Sequence, residues 1–180
     1  MSGPALPVAA PTVKVRAGGL VLGAVLLLAA ALRSHHLGSA SLWTDELFTR
    51  FYAHTGLGFL WTEGLRLEPT PPLYYTLILL WERLAGESAW ALRLPSLAGS
   101  LLSIWLAYLL ARELFDRRLS ALFTAALLAL APTNIFYAQE ARSYALQGAT
   151  LTLALLGFAR LLRDPRSGGA LAMYAAGAVL

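Results

Sequence analysis

Long apolar runs alternate with short charged stretches along this chain, and the lengths of the runs predict its elements. Runs at about 15–33, 94–111, 119–138 and 143–162 are each near the length a bilayer requires, and a fifth begins at 168 and continues to 180. The first follows Lys14 and Arg16 and is uncharged from Ala17 to Leu32, about 24 Å as a helix, enough to span with snorkelling ends. A secretory signal peptide has the same charged start, and Ala29-Ala30-Ala31 resembles a cleavage site, but the later spans favour an uncleaved anchor. Pro132 interrupts the third run. Leu73 to Trp81 is apolar as well, yet even extended to Leu84 it is only about a dozen residues, the length of an interfacial or re-entrant helix. The pattern predicts an all-α, polytopic integral membrane helical bundle, with residues 1–180 as one domain. The fifth run stops in mid-course, so the expectation is an N-terminal fragment of a longer protein.

Charge decides the short run. If it lies on the membrane, the cytoplasmic side collects Lys14, Arg16, Arg112, Arg117, Arg118, Arg160, Arg163 and Arg166. If it spans, that side keeps only Lys14, Arg16, Arg83, Arg93 and Arg142. The positive-inside rule favours the first arrangement. It puts the N-terminus in the cytoplasm, makes 33–93 a long extracytoplasmic loop with an interfacial helix, and leaves a second short outer segment near Thr133 to Arg142.

Composition then excludes whole classes. With 58% hydrophobic and 13% charged residues the chain is about half as charged as an ordinary soluble domain. The surplus of 14 Lys+Arg over 10 Asp+Glu forms no basic run and no aromatic-basic platform, so nucleic acid is not a partner; membrane lipids are. There is no cysteine, hence no disulfide and no thiolate metal site. Ser96, Gly99, Ser100 and Ser103, and likewise Ala145, Gly148, Ala149 and Thr152, fall at helical spacing and predict close helix packing.

The chemistry concentrates in the two outer segments. Leu42-Trp43-Thr44-Asp45-Glu46-Leu47-Phe48 sets two adjacent carboxylates in an apolar stretch near the membrane surface. They are either a solvated acid pair or, with ionisation disfavoured by low dielectric and a like charge, a general base for a hydroxyl. In Glu68-Pro69-Thr70-Pro71-Pro72-Leu73-Tyr74-Tyr75, Thr70 is the expected cap, Pro71 the first residue of the interfacial helix, and Glu68 and Tyr74 sit beside its start. The tryptophans Trp43, Trp61, Trp81 and Trp90 need only an interfacial role. Around 132–147, Glu140, Ser143, Tyr144 and Gln147 share one face if the segment is helical, where lipid exposure is unfavourable. Arg142, near that helix start, either snorkels to headgroups or holds a phosphate together with the helix end. His35, His36 and His54 have no metal-binding spacing; no cofactor is assigned, and a divalent metal has no support.

These motifs, with Ala91-Leu92-Arg93-Leu94-Pro95-Ser96, Ala111-Arg112-Glu113-Leu114-Phe115 and Tyr137-Ala138-Gln139-Glu140-Ala141-Arg142-Ser143-Tyr144-Ala145-Leu146, come in an order and spacing that resembles a known family over Leu37 to Asp164. It is the polytopic GT-C glycosyltransferases that use polyprenyl-phosphate sugars, similar to protein O-mannosyltransferases and lipid A aminoarabinose transferases. The resemblance implies transfer of a hexose or pentose from a polyprenyl-phosphate donor to a lipid, polysaccharide or protein acceptor, outside a bacterial inner membrane. It implies a catalytic acid in the Asp45-Glu46 motif and donor binding by Glu140 and Arg142, to which the local reading adds Glu68 and Tyr74. Many relatives have His-Pro-Pro where this chain has Thr70-Pro71-Pro72, so no role of that histidine carries over. A transporter or flippase would instead place ionisable groups in mid-membrane, and none is found there; a non-catalytic assembly subunit would tolerate loss of every acid named.

Because no native cysteine interferes, Ser41→Cys should react with a membrane-impermeant maleimide in intact cells while Ser167→Cys stays unlabelled. The reverse pattern would sink this topology.

Overall fold

The computed structural model describes residues 12–178 apart from Pro69, with side chains from Gly18 onward, so Lys14, Arg16 and the last two residues of the fifth run lie outside the described side chains. The described residues form helices and no strand: α1 (Thr12–Ser34), α2 (Thr44–His54), α3 (Leu57–Leu60), α4 (Gly64–Leu67), α5 (Pro72–Ala85), α6 (Ala89–Phe115), α7 (Arg118–Leu130), α8 (Pro132–Ala138), α9 (Tyr144–Arg163) and α10 (Gly168–Gly177). It is an all-α membrane bundle, as the apolar runs predict. The helices α6 and α9 are long and apolar enough to cross a bilayer, and α7 with α8 makes a third such unit if the pair, bent by 61°, is one broken span. The described apolar part of α1, Gly18–Ser34, is shorter.

Sequence sets where these helices start, stop and bend. Ser88 caps α6, its Oγ accepting the Ala91 N–H at 3.2 Å, and Asp116 ends it in the left-handed region at φ 48°. Pro132 has no N–H for the Leu128 carbonyl, and the helix breaks there. The buried Arg33 at the end of α1 fills the gap: Nη2 donates to Leu128 O at 3.1 Å, Nη1 to Ala129 O at 2.9 Å and Nε to Ser100 Oγ at 2.8 Å. In return Gln139, just past α8, donates to the α1-end carbonyls of Arg33 and His35 at 3.2 and 2.8 Å. Pro95 similarly deprives the Ala91 carbonyl of its donor within α6, and Trp81 Nε1 supplies one at 2.8 Å. Trp81 is therefore a pin between α5 and α6, a role beyond the interfacial one expected.

Two local expectations are corrected. Thr70 does not cap α5; Pro71 is the cap residue and Pro72 opens the helix, whose first turn needs no N–H there. Of the two small-residue stripes, Gly99 on α6 does let α9 in, since a Cβ there would lie 3.1 Å from the Leu146 backbone nitrogen. Gly148 faces open space, although Ala145 and Ala149 of the second stripe are buried, and α9 meets the α10 backbone closely at Gly157, against Ala170 and Tyr174.

The two ends of the bundle differ. At one, Glu113 is held by Arg160 at 3.3 Å and Arg163 at 2.8 Å. Over the other folds the α2–α5 segment, whose Ala53, Leu60, Tyr74, Tyr75 and Ile78 form a core with Leu92 of α6.

Arg33→Met strands buried acceptors and is expected to lower stability by about 3 kcal/mol. In a Pro132→Ala background residue 132 regains an N–H, so the loss should shrink, readable as a coupling energy in chemical unfolding in detergent. A loss identical in both backgrounds would refute the capping role.

Candidate active site

The first turn of α2 presents Asp45 and Glu46, and the tertiary structure separates their environments. Glu46 is fully buried. Its Oε1 accepts from Arg93 Nε at 2.8 Å and from the Ala141 N–H at 2.8 Å; its Oε2 accepts from Arg93 Nη2 at 2.7 Å and from the Trp43 N–H at 3.3 Å. Arg93 continues to the carbonyls of Leu37 at 2.7 Å, Ala40 at 3.1 Å and Ser41 at 3.3 Å. One bidentate pair thus joins the α1–α2 loop, α2, α6 and the α8–α9 link. Arg93 was legible as an arginine at the mouth of an apolar helix, which normally marks a paired group, but its partner was not.

Asp45 is half-buried, and its carboxylate makes no hydrogen bond among the described residues. Its backbone carbonyl accepts from Arg142 Nη1 at 3.3 Å, which brings the α8–α9 link onto α2. Glu140 is buried in the bend before α9 rather than on a helical face, because α9 begins only at Tyr144. Burial raises the proton affinity of Glu140, and the nearby Glu46 and Asp45 raise it further against the pull of Arg142 and Arg93.

Facing these carboxyls is a set of donors. Tyr74 and Tyr75, at the start of α5, are both buried, and Tyr75 stacks on Tyr52 of α2 with centroids 5.2 Å apart. Burial pushes the Tyr74 phenol well above its usual range and that of Tyr75 up to about 12, so both stay protonated at neutral pH. Ser96 and Arg142 lie beside the Tyr74 phenol, and Thr70 and Glu68 beside that of Tyr75, yet neither phenol completes a hydrogen bond. The Arg142 Nε is also buried without a partner. Burial opposes the charge on Arg142, but Tyr144, Tyr75 and Asp45 outweigh it and hold the guanidinium charged. Its ring contact with Tyr144 is 5.7 Å to the centroid. Glu68 Oε1 accepts the Thr70 N–H at 3.2 Å and so shapes the turn beneath Tyr75.

The structure therefore gathers Asp45, Glu46, Glu140, Arg142 and Tyr74 at one end of the bundle, with Glu68 at its edge. It adds Arg93 and Tyr75. Nothing in the sequence distinguished Tyr75 from a core tyrosine, because its phenol becomes notable only through burial without a partner. Among the described residues no group of three or more His, Cys, Asp or Glu side chains is arranged to hold a metal ion.

Helices of this length, with acids and buried donors clustered at one end, are the setting in which the profile of the dolichyl-phosphate-mannose-protein mannosyltransferase family matches residues 69–180. The chain belongs to that family. It is a membrane glycosyltransferase of the GT-C type. The span shared with this mannosyltransferase family includes Tyr74, Tyr75, Arg93, Glu140 and Arg142, while Asp45, Glu46 and Glu68 lie ahead of it. No curated protein and no solved structure matches the chain.

Removing one partner of the Glu46–Arg93 pair leaves a buried charge unpaired, so Arg93→Leu or Glu46→Leu alone should cost about 3–5 kcal/mol. The double Glu46→Leu, Arg93→Leu variant should unfold closer to wild type than the sum of the two. Additive losses in chemical unfolding would mean the pair is not a unit.

Proposed function

We propose that the protein transfers a sugar from a polyprenyl-phosphate donor to an acceptor hydroxyl on the extracytoplasmic face, by a single inverting displacement. The observation that carries this is the pairing, at one end of the bundle, of an Asp45 carboxylate without a hydrogen bond and three buried donors without one, Tyr74 OH, Tyr75 OH and Arg142 Nε, all among the described residues. Donors without acceptors suit an anion, and the leaving group of such a transfer is a phosphate. The family match supports the same substrate class.

In this reading Asp45 takes the proton of the acceptor hydroxyl as its oxygen bonds to the anomeric carbon. The bond from that carbon to the phosphate oxygen breaks, and the polyprenyl phosphate departs with its charge stabilised by Arg142, Tyr74 and Tyr75. Glu46 has both oxygens engaged by four donors and acts as a positioning residue that fixes Asp45 through the first turn of α2. Burial and the neighbouring Glu46 and Asp45 raise the proton affinity of Glu140, which lies within electrostatic reach of Arg142. Glu68 shapes the turn that presents Tyr75. The setting is a bacterial inner membrane, with the N-terminus in the cytoplasm and the acceptor a lipid, polysaccharide or protein hydroxyl.

Asp45→Asn keeps the shape and removes the base, so transfer of labelled sugar by membranes carrying the intact protein should fall by about 10²–10⁴-fold. Arg142→Lys loses the fork geometry and should raise the KM for donor by about tenfold. Transfer within a few-fold of wild type for Asp45→Asn would overturn the base assignment and favour a transporter or an assembly subunit.

A further inference from the structure

We propose that the cavity of about 380 Å³ between the α1–α2 loop and α8 is a subsite for a single pyranose ring, walled by Trp43 and Phe136 and edged by His36. This rests on the sugar-transfer reading above and deepens it. Trp43 and Phe136 come from segments far apart in sequence, and their rings remain 47% and 56% exposed although both border one cavity. Aromatic rings left open beside a polar edge suit a ligand with an apolar face and a hydroxylated rim. The C–H face of a pyranose packs on the negative face of an aromatic ring, and its hydroxyls need donors and acceptors around the edge. Here the edge is His36, Gln139 and Glu140. The floor is the Glu46–Arg93 pair, whose charges are already satisfied, so it offers an uncharged ligand a surface without attracting an ion. The volume is at the low end for small-molecule sites, room for one ring and not for a chain of them.

The backbone at His36 is an independent observation. Its φ of 57° lies in the left-handed region, which disfavours a residue with a Cβ by about 1–2 kcal/mol. That turn is held by Ser39, whose Oγ and N–H donate to the His36 carbonyl at 2.8 and 3.1 Å, by the Leu37 N–H donating to the Ser34 carbonyl at 3.2 Å, and by Gln139 Nε2 donating to the His35 carbonyl at 2.8 Å. A strained residue over-determined by its surroundings and bordering a cavity is the form that ligand-contacting loops take. A neutral imidazole supplies one donor and one acceptor, the complement of a sugar hydroxyl. His36, which carries no metal-binding spacing, thus acquires a use.

The pyranose belongs either to the donor or to a glycan acceptor, and both share this chemistry. The test measures KM for a polyprenyl-phosphate hexose and for acceptor separately, with intact protein in its membranes carrying Trp43→Ala, Phe136→Ala or His36→Gln. One of the two KM values should rise by about 5–10-fold for Trp43→Ala and Phe136→Ala, with recovery in Trp43→Phe. Trp61→Ala, equally exposed but away from the cavity, should leave both unchanged. A rise in the donor value assigns the donor ring, and a rise in the acceptor value assigns the acceptor ring. Unchanged values with transfer intact, or an equal loss in Trp61→Ala, overturn the subsite. A second arm needs no turnover: saturation-transfer NMR of methyl pyranosides with the detergent-solubilised protein should give signals that Trp43→Ala abolishes. Pyranoside binding without any transfer by wild type would remove the transferase reading and keep the subsite; no binding by wild type would remove the subsite.

Discussion

Everything at the Asp45 end of this molecule depends on the desolvated pair between Glu46 and Arg93. Two charges out of water are tolerated only when geometry is good and the remaining valences are filled, and both conditions hold. Glu46 receives four hydrogen bonds and Arg93 reaches three further carbonyls. Because the donors and acceptors come from the α1–α2 loop, α2, α6 and the α8–α9 link, satisfying one pair fixes the mutual placement of four segments. Asp45, Glu140 and Arg142 inherit their positions from it.

The same logic recurs at the helix breaks. A proline in or beside an apolar helix leaves a carbonyl without its donor in surroundings where water is scarce. Arg33 answers the break at Pro132 and Trp81 the missing backbone bond at Pro95 within α6, each with a side chain from another helix. The breaks are therefore the points at which tertiary contacts become specific. Gln139 does the converse service for the end of α1 and at the same time sets the turn that carries His36. Bundle packing and site geometry are linked through these few polar contacts, since the apolar surfaces alone give little orientation between helices in lipid.

The end of the bundle that carries Asp45 and Glu46 mixes acids with proton donors. Carboxyls from α2 and the α8–α9 link meet phenols from α5 and the Arg142 guanidinium, whose Nη1 donates to the Asp45 carbonyl at 3.3 Å. Burial acts on both in the same direction, keeping the phenols protonated and raising the proton affinity of Glu140. Acids beside proton donors are what the proposed displacement needs.

The helical class, the membrane character, the short apolar helix near 73–84 and the acids between the apolar runs were legible in the sequence, because run length and charge placement are one-dimensional quantities. Residue type alone could also mark Asp45, Glu140, Arg142 and Tyr74 as candidates. It could not separate Asp45 from Glu46, since adjacent positions on a helix point in different directions and only the neighbours decide which is paired. Nor could it find that Arg93 is that partner, that Tyr75 joins Tyr74, or that Glu140 sits in a bend rather than on a helix. Those facts depend on contacts between residues far apart in the chain, where burial and hydrogen-bond satisfaction are set by packing and not by local pattern.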